Sequence, residues 1–237
     1  MPASYTRALC KISGEALCSP HQQGYDQKSL AALTSALAAA KNSGKELGLV
    51  IGAGNLFRAK DAGLDYSRTT LDEVGMLATI MNGKLLSAAL QKEGIKTALF
   101  NAFPCGGLAD VFSEQQVEKA FEEGALVLFT GGTGHPFFTT DTAAALRALQ
   151  IGADVLVKLT TVEGIYTNDP KQDPKATRKK TISYRKIIED RLGVMDLEAV
   201  ILCEKHRLPI IVTHFADQTH LTTALSSGEV GTLVTEE

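Results

Sequence analysis

Short apolar runs of strand length alternate with longer amphipathic stretches along almost the whole chain, and this alternation limits the folds that the chain can adopt. The mostly apolar runs are Ala8–Ile12, Leu47–Ile51, Thr97–Phe100, Leu126–Thr130, Val155–Leu159 and Ile210–Val212. Runs of this kind are typical of strands that are buried on both faces of a parallel sheet. Strands that alternate with helices indicate βαβ units, so the sequence predicts an α/β fold with a mostly parallel sheet.

The stretches between these runs have a helical period and recognisable ends. Asp26, Asp72, Ser113 and Asp141 are expected to start helices, because their side chains can accept hydrogen bonds from a first helical turn. Ser113 is followed by Gln116 at the spacing of a capping box. The helices are expected to end at glycines in the C-terminal cap position, namely Gly44, Gly94, Gly124 and Gly152. Because no interdomain linker interrupts the pattern, residues 1–237 are expected to form a single domain.

The composition excludes several classes of function. The 237 residues include 24 Lys and Arg against 27 Asp and Glu, a formal charge of −3, so no basic surface is available for nucleic acid or an anionic membrane. Cysteines occur without a CxxC pair, which argues against a zinc site or a disulfide framework and predicts reduced thiols. Arg7, Lys11 and Glu15 interrupt the region where a signal peptide needs an apolar stretch. We therefore expect a cytoplasmic protein that does not span a membrane.

Unusual loops follow four of the apolar runs. In an open α/β sheet, ligands bind beyond the carboxyl ends of the strands, so these loops are the candidate site. They are Lys11–Glu15, Gly52–Arg58, Gly131–Asp141 and Lys158–Thr160. Glycine-rich turns bring backbone N–H groups close to phosphate oxygens, and a helix start favours anions. The patterns at Lys11–Glu15 and Gly52–Arg58 are weak when taken alone. The loop Gly131–Asp141 is hard to explain as packing, although Asp141 also fits a simple role as a helix cap.

Motifs of other nucleotide-binding and hydrolytic classes are absent from the sequence. It contains neither GxxxxGK[ST] nor a GxGxxG after a strand, which excludes a P-loop and a dinucleotide fold. It also lacks a GxSxG elbow and a histidine pair at metalloprotease spacing. The glycine loops therefore need another explanation.

Five segments are distinctive enough to indicate a family: KISGEAL at Lys11–Leu17, VIGAGNLFR at Val50–Arg58, DEVGMLATIMNG at Asp72–Gly83, GTGHPFFTTDTAAALRA at Gly132–Ala148 and GVMDLEA at Gly193–Ala199. In this order they resemble the bacterial uridylate (UMP) kinases of the amino-acid kinase superfamily. The resemblance implies a three-layer α/β/α sandwich with a mostly parallel central sheet. It also implies Mg²⁺-dependent transfer of the γ-phosphoryl group of ATP to UMP, giving UDP and ADP in pyrimidine nucleotide biosynthesis, by a homohexamer.

The resemblance also implies roles for individual residues. The catalytic group corresponds to Lys11, Lys158, Asp141 and Asp196. The ATP-binding positions correspond to Lys11, Ile12, Ser13, Gly14, Gly54, Arg58, Thr160, Tyr166 and Asp169. The UMP-binding positions correspond to Ala53, Asp72, Thr133, Gly134, His135, Pro136, Phe137, Phe138, Thr139 and Thr140. Magnesium is expected on the nucleotide phosphates without a fixed protein site, with Asp141 as the candidate carboxylate. Asp72 would bind the ribose hydroxyls, although it also fits a helix cap.

Three positions depart from the family pattern. Ala53 stands where the family has the middle glycine of three, His135 where it usually has asparagine, and Thr161 where it usually has lysine. Alanine is acceptable in such a loop if its φ is negative, because the left-handed region costs it about 1–2 kcal/mol. The segment Cys18–Gly24 also differs from the glycine-rich stretch that is associated with GTP activation in some members, so effector control is not carried over.

The reaction implied by the resemblance needs little covalent chemistry from the protein. A phosphate monoester has a second pKa of about 6, so most of it is dianionic at neutral pH and needs no general base. Lysines would compensate the charge of the transferring group, and aspartates would orient the lysines or meet magnesium. Two alternatives are a superfamily member that phosphorylates a carboxylate, such as glutamate, aspartate or N-acetylglutamate, and a nucleotide-binding regulator without catalysis.

Overall fold

The computed structural model describes residues 5–19, 22–58, 63–168, 173, 175–214, 218–227 and 230–236. Strands β1 to β9 are Arg7–Ile12, Glu46–Ile51, Thr97–Asn101, Asp110–Val111, Leu126–Thr130, Val155–Thr160, Thr181–Ser183, Ile210–His214 and Thr232–Thr235. Helices α1 to α7 are Gln27–Asn42, Arg68–Lys92, Glu114–Glu122, Thr140–Gln150, Tyr184–Glu189, Leu197–Lys205 and Gln218–Ser227. A short 3₁₀ turn, Gly14–Leu17, follows β1.

The strands form one sheet in the order β4-β3-β5-β2-β1-β6-β8-β9-β7. Each neighbouring pair in this sheet is parallel except β8 with β9. Every apolar run that was predicted as a strand lies in one of the strands, so the predicted α/β class with a mostly parallel sheet is confirmed. In the sheet, β2 lies on one side of β1, and β6, which comes later in the chain, lies on the other side. The strand order therefore changes direction at β1, and ligands are expected at the carboxyl ends of the strands beside such a point.

Helices cover both faces of the sheet and form the three predicted layers. One core cluster joins the sheet to α1, α2 and α7, through residues such as Leu33, Leu86 and Leu225. The other joins it to α3, α4, α5 and α6, through residues such as Val117 and Ala144. All four cysteines are free thiols, as predicted from their spacing.

Strand alternation decides which way the two candidate lysines point. On β1, Leu9 packs in the cluster that contains α4, and Lys11 lies two residues further along the same face. On β6, Leu156 belongs to that cluster and Lys158 again follows two residues later. Both lysine side chains therefore extend on the α4 side of the sheet, at its carboxyl edge.

The structure corrects two predicted helix starts and one predicted cap. Helix α2 begins at Arg68 with Ser67 as its cap, so Asp72 lies inside the helix and does not open it. Thr139 caps α4, so Asp141 lies in the first turn. Ser113 is at the predicted start of α3 but makes no side-chain capping hydrogen bond, so the predicted capping box does not form. Each of the regions before α2 and α4 contains more than one residue type that can cap a helix, and a local residue pattern does not decide between them.

The predicted helix ends are confirmed. Gly44, Gly94, Gly124 and Gly152 follow α1, α2, α3 and α4 and have φ values between 60° and 83°. This is the left-handed region that glycine enters without a Cβ penalty.

Candidate active site

Two lysines from neighbouring strands meet one carboxylate at the carboxyl edge of the sheet. Lys11 and Lys158 are register partners in the parallel ladder of β1 and β6. The Lys11 ammonium lies 2.6 Å from Oδ1 of Asp141, and the Lys158 ammonium donates to Oδ2 at 2.7 Å. The three side chains are between 10% and 15% exposed. Two ammonium groups that share one carboxylate leave an excess positive charge, so this cluster attracts an anion.

Burial and charge act in opposite directions on the cluster. For Asp141, burial raises the pKa, but the attraction of Lys11 and Lys158 outweighs it, and the pKa is lowered from its ordinary value. For Lys158, burial is the largest influence and lowers the pKa, although Asp141 opposes it. An anion bound beside Lys158 would therefore stabilise its charged form.

Asp196, at the start of α6, reaches the same region. Its Oδ2 accepts a hydrogen bond from the hydroxyl of Thr139, and the Thr139 hydroxyl in turn accepts from the N–H of Asp141 at 3.0 Å. Asp196 also raises the pKa of Lys158, in opposition to the dominant effect of burial. The N-termini of α4 and α6 thus converge on the lysines, and the positive end of a helix dipole favours an anion.

Gly14 is required by the close approach of two loops. A Cβ placed on Gly14 would lie 2.5 Å from Oδ1 of Asn55, 2.6 Å from the carbonyl oxygen of Gly52 and 2.8 Å from the nitrogen of Gly54. Only glycine allows the loop after β1 to lie against the loop after β2 in this way. The two predicted phosphate loops therefore form one continuous surface.

Two buried asparagines fix the second of these loops from behind. The Asn82 amide on α2 donates to the Gly52 carbonyl and to Oδ1 of Asn55, both at 2.7 Å. The Asn55 amide donates back to Asn82 at 3.2 Å and to the carbonyl of Gly24 at 2.9 Å. Because both side chains have no exposed surface, these bonds hold the backbone of the loop in one position.

Ala53 fits the loop without backbone strain. Positive φ values among the described non-glycine residues occur at Phe137, Arg191 and Arg207, so the φ of Ala53 lies outside the left-handed region. Its carbonyl accepts hydrogen bonds from the N–H groups of Leu56 and Phe57, both at 2.9 Å. The methyl group that distinguishes this chain from the family pattern is therefore tolerated by the turn.

Arg58 and Glu15 form an ion pair between the two loops. The Arg58 guanidinium also lies close to Gly54, because a Cβ placed on Gly54 would be 3.0 Å from Nε of Arg58. Arg58 therefore packs on the loop that precedes it and presents its charge where phosphate is expected.

The first of two clefts opens on the β2 side of the lysine cluster and has a volume of about 350 Å³. Its lining consists of Lys11, Ser13, Gly52, Ala53, Gly54, Phe57, Arg58, Arg68, Leu71, Asp72, Gly75, Met76, Thr79, Gly132, Thr133, Phe138, Thr139 and Thr140. This combination of apolar walls with a few polar groups is typical of small-molecule sites.

The glycine-rich loop Gly131–Asp141 forms the outer wall of this first cleft. Thr133, Phe138, Thr139 and Thr140 line it. Gly134 packs against Ala102, and His135, Pro136 and Phe137 lie outside this lining, with the imidazole of His135 exposed. The N–H and C=O of His135 both bond to Oγ1 of Thr133, at 3.2 Å and 3.1 Å.

A second cleft of about 320 Å³ lies on the β6 side of the cluster. Its lining consists of Lys11, Ile12, Ser13, Glu15, Ala16, Lys158, Leu159, Thr160, Thr161 and His214. Lys11 and Ser13 line both clefts, so the two meet beside the lysine cluster. Tyr166 lies outside this lining, with its hydroxyl 3.4 Å from Glu163, and Asp169 lies outside the described residues.

The structure also brings in residues that the sequence argument missed. Arg68, Met76 and Thr79 line the first cleft, and His214 lines the second. His214 ends β8, so the strand-end rule could have found it once that run was extended by two residues. Nothing in the helical pattern of α2 distinguishes its cleft positions from its other positions.

The described residues offer neither a preformed metal cluster nor a membrane-spanning helix. They contain no group of three or more histidine, cysteine or acidic side chains arranged to hold a metal ion. None of the helices among them combines the length and apolar character needed to cross a bilayer.

Comparisons with known proteins agree with this geometry. The model of the "Amino acid kinase family" matches residues 6–214. The uridylate kinase of Alcanivorax borkumensis is 41% identical over 97% of this chain and 92% of its own, and that of Bacteroides thetaiotaomicron is 40% identical over 98% and 99%. The crystal structure of UMP kinase from Bacillus anthracis superposes with a TM-score of 0.94 at 28% identity, over 99% of this chain and 98% of its own.

Proposed function

The chain belongs to the amino acid kinase family, and from this premise we propose that it transfers the γ-phosphoryl group of ATP to UMP, giving UDP and ADP. The observation that carries the proposal is the pair of clefts that meet at Lys11, beside the carboxylate shared with Lys158. The cleft on the β6 side would hold ATP and the cleft on the β2 side would hold UMP. The phosphoryl group would then cross from one to the other beside both ammonium groups.

Positioning and charge compensation account for the proposed chemistry. The UMP phosphate is largely dianionic at neutral pH, so it attacks without a general base. Lys11 and Lys158 would stabilise the negative charge on the transferring group, while Asp141 keeps both ammonium groups at the sheet edge. Because Asp141 holds them before substrate binds, little reorganisation is needed in the transition state.

The residues present fit a magnesium ion that is carried by the nucleotide. Magnesium prefers phosphates, waters and one or two carboxylates to a cage made wholly of protein ligands. Both oxygens of Asp141 already face ammonium groups, so Asp196 is the better candidate to meet the ion. When bound, magnesium would neutralise charge on the β- and γ-phosphates.

The acceptor cleft contains groups suited to a nucleoside monophosphate. Gly54 and Arg58, which the resemblance assigns to ATP, line this cleft and not the one on the β6 side, so we propose that Arg58 and the loop Gly52–Gly54 bind the phosphate of UMP. Phe57 and Met76 offer apolar surface for the base. Asp72 would accept from the ribose. Glutamate, aspartate or N-acetylglutamate has no base and would leave this apolar wall without a partner.

We also infer how the protein is organised in the cell. Val74, Leu77 and Met81 are between 40% and 57% exposed and share one face of α2, which suits an interface with a second copy in the homohexamer implied by the resemblance. The single continuous sheet supports a one-domain chain. Cytoplasmic pyrimidine nucleotide biosynthesis, with neither nucleic acid nor membrane as a partner, is the setting that we propose.

A coupled assay of the purified protein with Mg·ATP tests the function. We expect UMP to be the preferred acceptor, with CMP and glutamate much poorer, and no turnover without magnesium. Turnover of glutamate but not UMP would favour the carboxylate kinase. ATP binding without turnover of any of these acceptors would favour a regulator without catalysis.

A further inference from the structure

Arg68 holds the carboxylate of Asp72 in the first cleft. Arg68 is the first residue of α2, and its Nε donates to Oδ1 of Asp72 at 2.7 Å and to Oδ2 at 2.8 Å. The Asp72 side chain is 11% exposed, whereas that of Arg68 is 53% exposed. Both residues line the cleft, so the pair lies at its wall.

Oδ2 of Asp72 has a second donor. The backbone N–H of Phe137, in the glycine-rich loop, donates to it at 2.8 Å. An ionised carboxylate has about four acceptor positions, two on each oxygen. The single N–H on Nε of Arg68 is shared between the two oxygens, and the N–H of Phe137 is a second donor to Oδ2 alone. Among the described residues, Oδ1 therefore has fewer donors than Oδ2 and keeps an open acceptor position.

We propose that Arg68 is a positioning residue of the acceptor site, which holds Asp72 so that Oδ1 accepts from one ribose hydroxyl of the nucleotide. The inference rests on the proposed function and deepens it. Under this inference Asp72 recognises one ribose hydroxyl and not both. The 2′-deoxy and 3′-deoxy analogues of UMP should therefore be discriminated unequally.

Helix stability gives little reason for this ion pair. A cation in the first turn of a helix faces the positive end of the dipole, and an arginine that precedes its acidic partner is the weaker order. Arg185 and Glu189 on α5 repeat the same spacing and order, with Nε 2.7 Å from Oε1, and neither residue lines the clefts described above. The Arg185–Glu189 pair therefore serves as a control for the effect of such an ion pair away from the candidate site.

Kinetics of Arg68→Gln, Arg68→Lys and Arg185→Gln with UMP, 2′-deoxy-UMP and 3′-deoxy-UMP test the inference. In the unaltered protein, one deoxy analogue should lose at least about tenfold in kcat/KM and the other much less, as expected for loss of one hydrogen bond to a charged group. Arg68→Gln should raise the KM for UMP about tenfold, more than it lowers kcat, and should reduce the difference between the analogues. Arg68→Lys keeps the charge and should restore part of the discrimination, while Arg185→Gln should behave like the unaltered protein.

Three results separate the inference from its premise. Equal losses with both deoxy analogues would overturn recognition of a single hydroxyl. Unchanged discrimination in Arg68→Gln, with UMP turnover intact, would overturn the role of Arg68 alone. Absence of UMP turnover by the unaltered protein would overturn the proposed function. Thermal unfolding of each variant distinguishes a loss of fold from a loss of positioning.

Discussion

The ammonium of Lys158 donates to Oδ2 of Asp141 at 2.7 Å, although the lysine lies on a strand and the aspartate on the helix that precedes it. The contact spans the connection from α4 to β6 and brings a cation to the point where the two clefts meet. An ammonium that is held in place before substrate arrives costs no reorganisation in the transition state. The first two predictions follow from this contact.

Lys158→Met should lower kcat by about 10²–10³, the loss that is typical of removing one preorganised donor at a developing charge. The KM for UMP should change little, because Lys158 lines the cleft that we propose for ATP and not the one that we propose for UMP. Steady-state kinetics with saturating ATP measure both constants. Lys96→Met is the matched control, since Lys96 forms an exposed ion pair with Glu123 at 2.7 Å. A near-normal kcat in Lys158→Met would remove this lysine from the mechanism.

Asp141→Asn should destabilise the fold by about 3–5 kcal/mol near neutral pH, because it leaves two largely buried ammonium groups without their anion. The pKa of Asp141 is lowered in the folded state. Its contribution is therefore present above the unfolded pKa of about 3.9 and is lost as the pH falls through the lower folded value.

The difference in unfolding free energy between the two proteins should consequently narrow as the pH falls from about 5 toward 3. Urea unfolding across that range measures it. Asp190→Asn, which removes the partner of Lys186 in an exposed pair at 2.9 Å, should track the unaltered protein throughout. A constant gap between Asp141→Asn and the unaltered protein would contradict the assignment of this titration to Asp141.

Gly14→Ala should force apart the loops after β1 and β2. Its Cβ would be 2.5 Å from Oδ1 of Asn55, and Asn55 has no room to withdraw because it is completely buried. Overpacking of this kind costs about 1–3 kcal/mol, and the displaced loops should raise the KM for ATP and lower kcat. Gly106→Ala is the control, since a Cβ there meets nothing within 4 Å. Equal thermal stability and equal kinetics of the two variants would show that the loops are not closely packed in solution.

The sequence predicted the central part of this fold because each central strand is buried on both faces and reads as a continuous apolar run. It missed the edge strands β4, Asp110–Val111, and β7, Thr181–Ser183, together with β9, Thr232–Thr235. The first two have two and three residues, and all three contain polar side chains. Pairing of such short segments depends on the neighbouring strand and not on a local pattern.

Residues of the candidate site could be predicted from the sequence where a charged side chain lies at the end of a strand. Lys11 and Lys158 could be identified in this way. Asp141 was predicted with them, but the sequence could not decide whether Asp141 or Asp196 orients the two lysines, and the structure places both lysines on Asp141. The proposed role of Arg68 depends on its contact with Asp72 and on the hydrogen bond that Asp72 accepts from the backbone N–H of Phe137, 65 residues further along the chain. Tertiary contacts of this kind leave no trace in the periodicity of one segment.

Thr133 supports the glycine-rich loop through its hydroxyl group, which bonds to both the N–H and the C=O of His135 at 3.2 Å and 3.1 Å. Thr133→Val keeps the shape of the side chain but removes both bonds, so the loop should lose its fixed conformation and the KM for UMP should rise about three- to tenfold, as expected for one to two ordinary hydrogen bonds. Thr133→Ser retains the hydroxyl and should stay within about twofold of the unaltered protein, since only a methyl group is lost. Steady-state kinetics with UMP as the varied substrate measure the effect, and the KM for ATP serves as the internal control because Thr133 lines only the cleft that we propose for UMP. If Thr133→Val leaves the KM for UMP unchanged while Thr133→Ser raises it, the hydroxyl bonds to His135 do not hold the loop, and the methyl contact in the cleft wall is the part of Thr133 that matters.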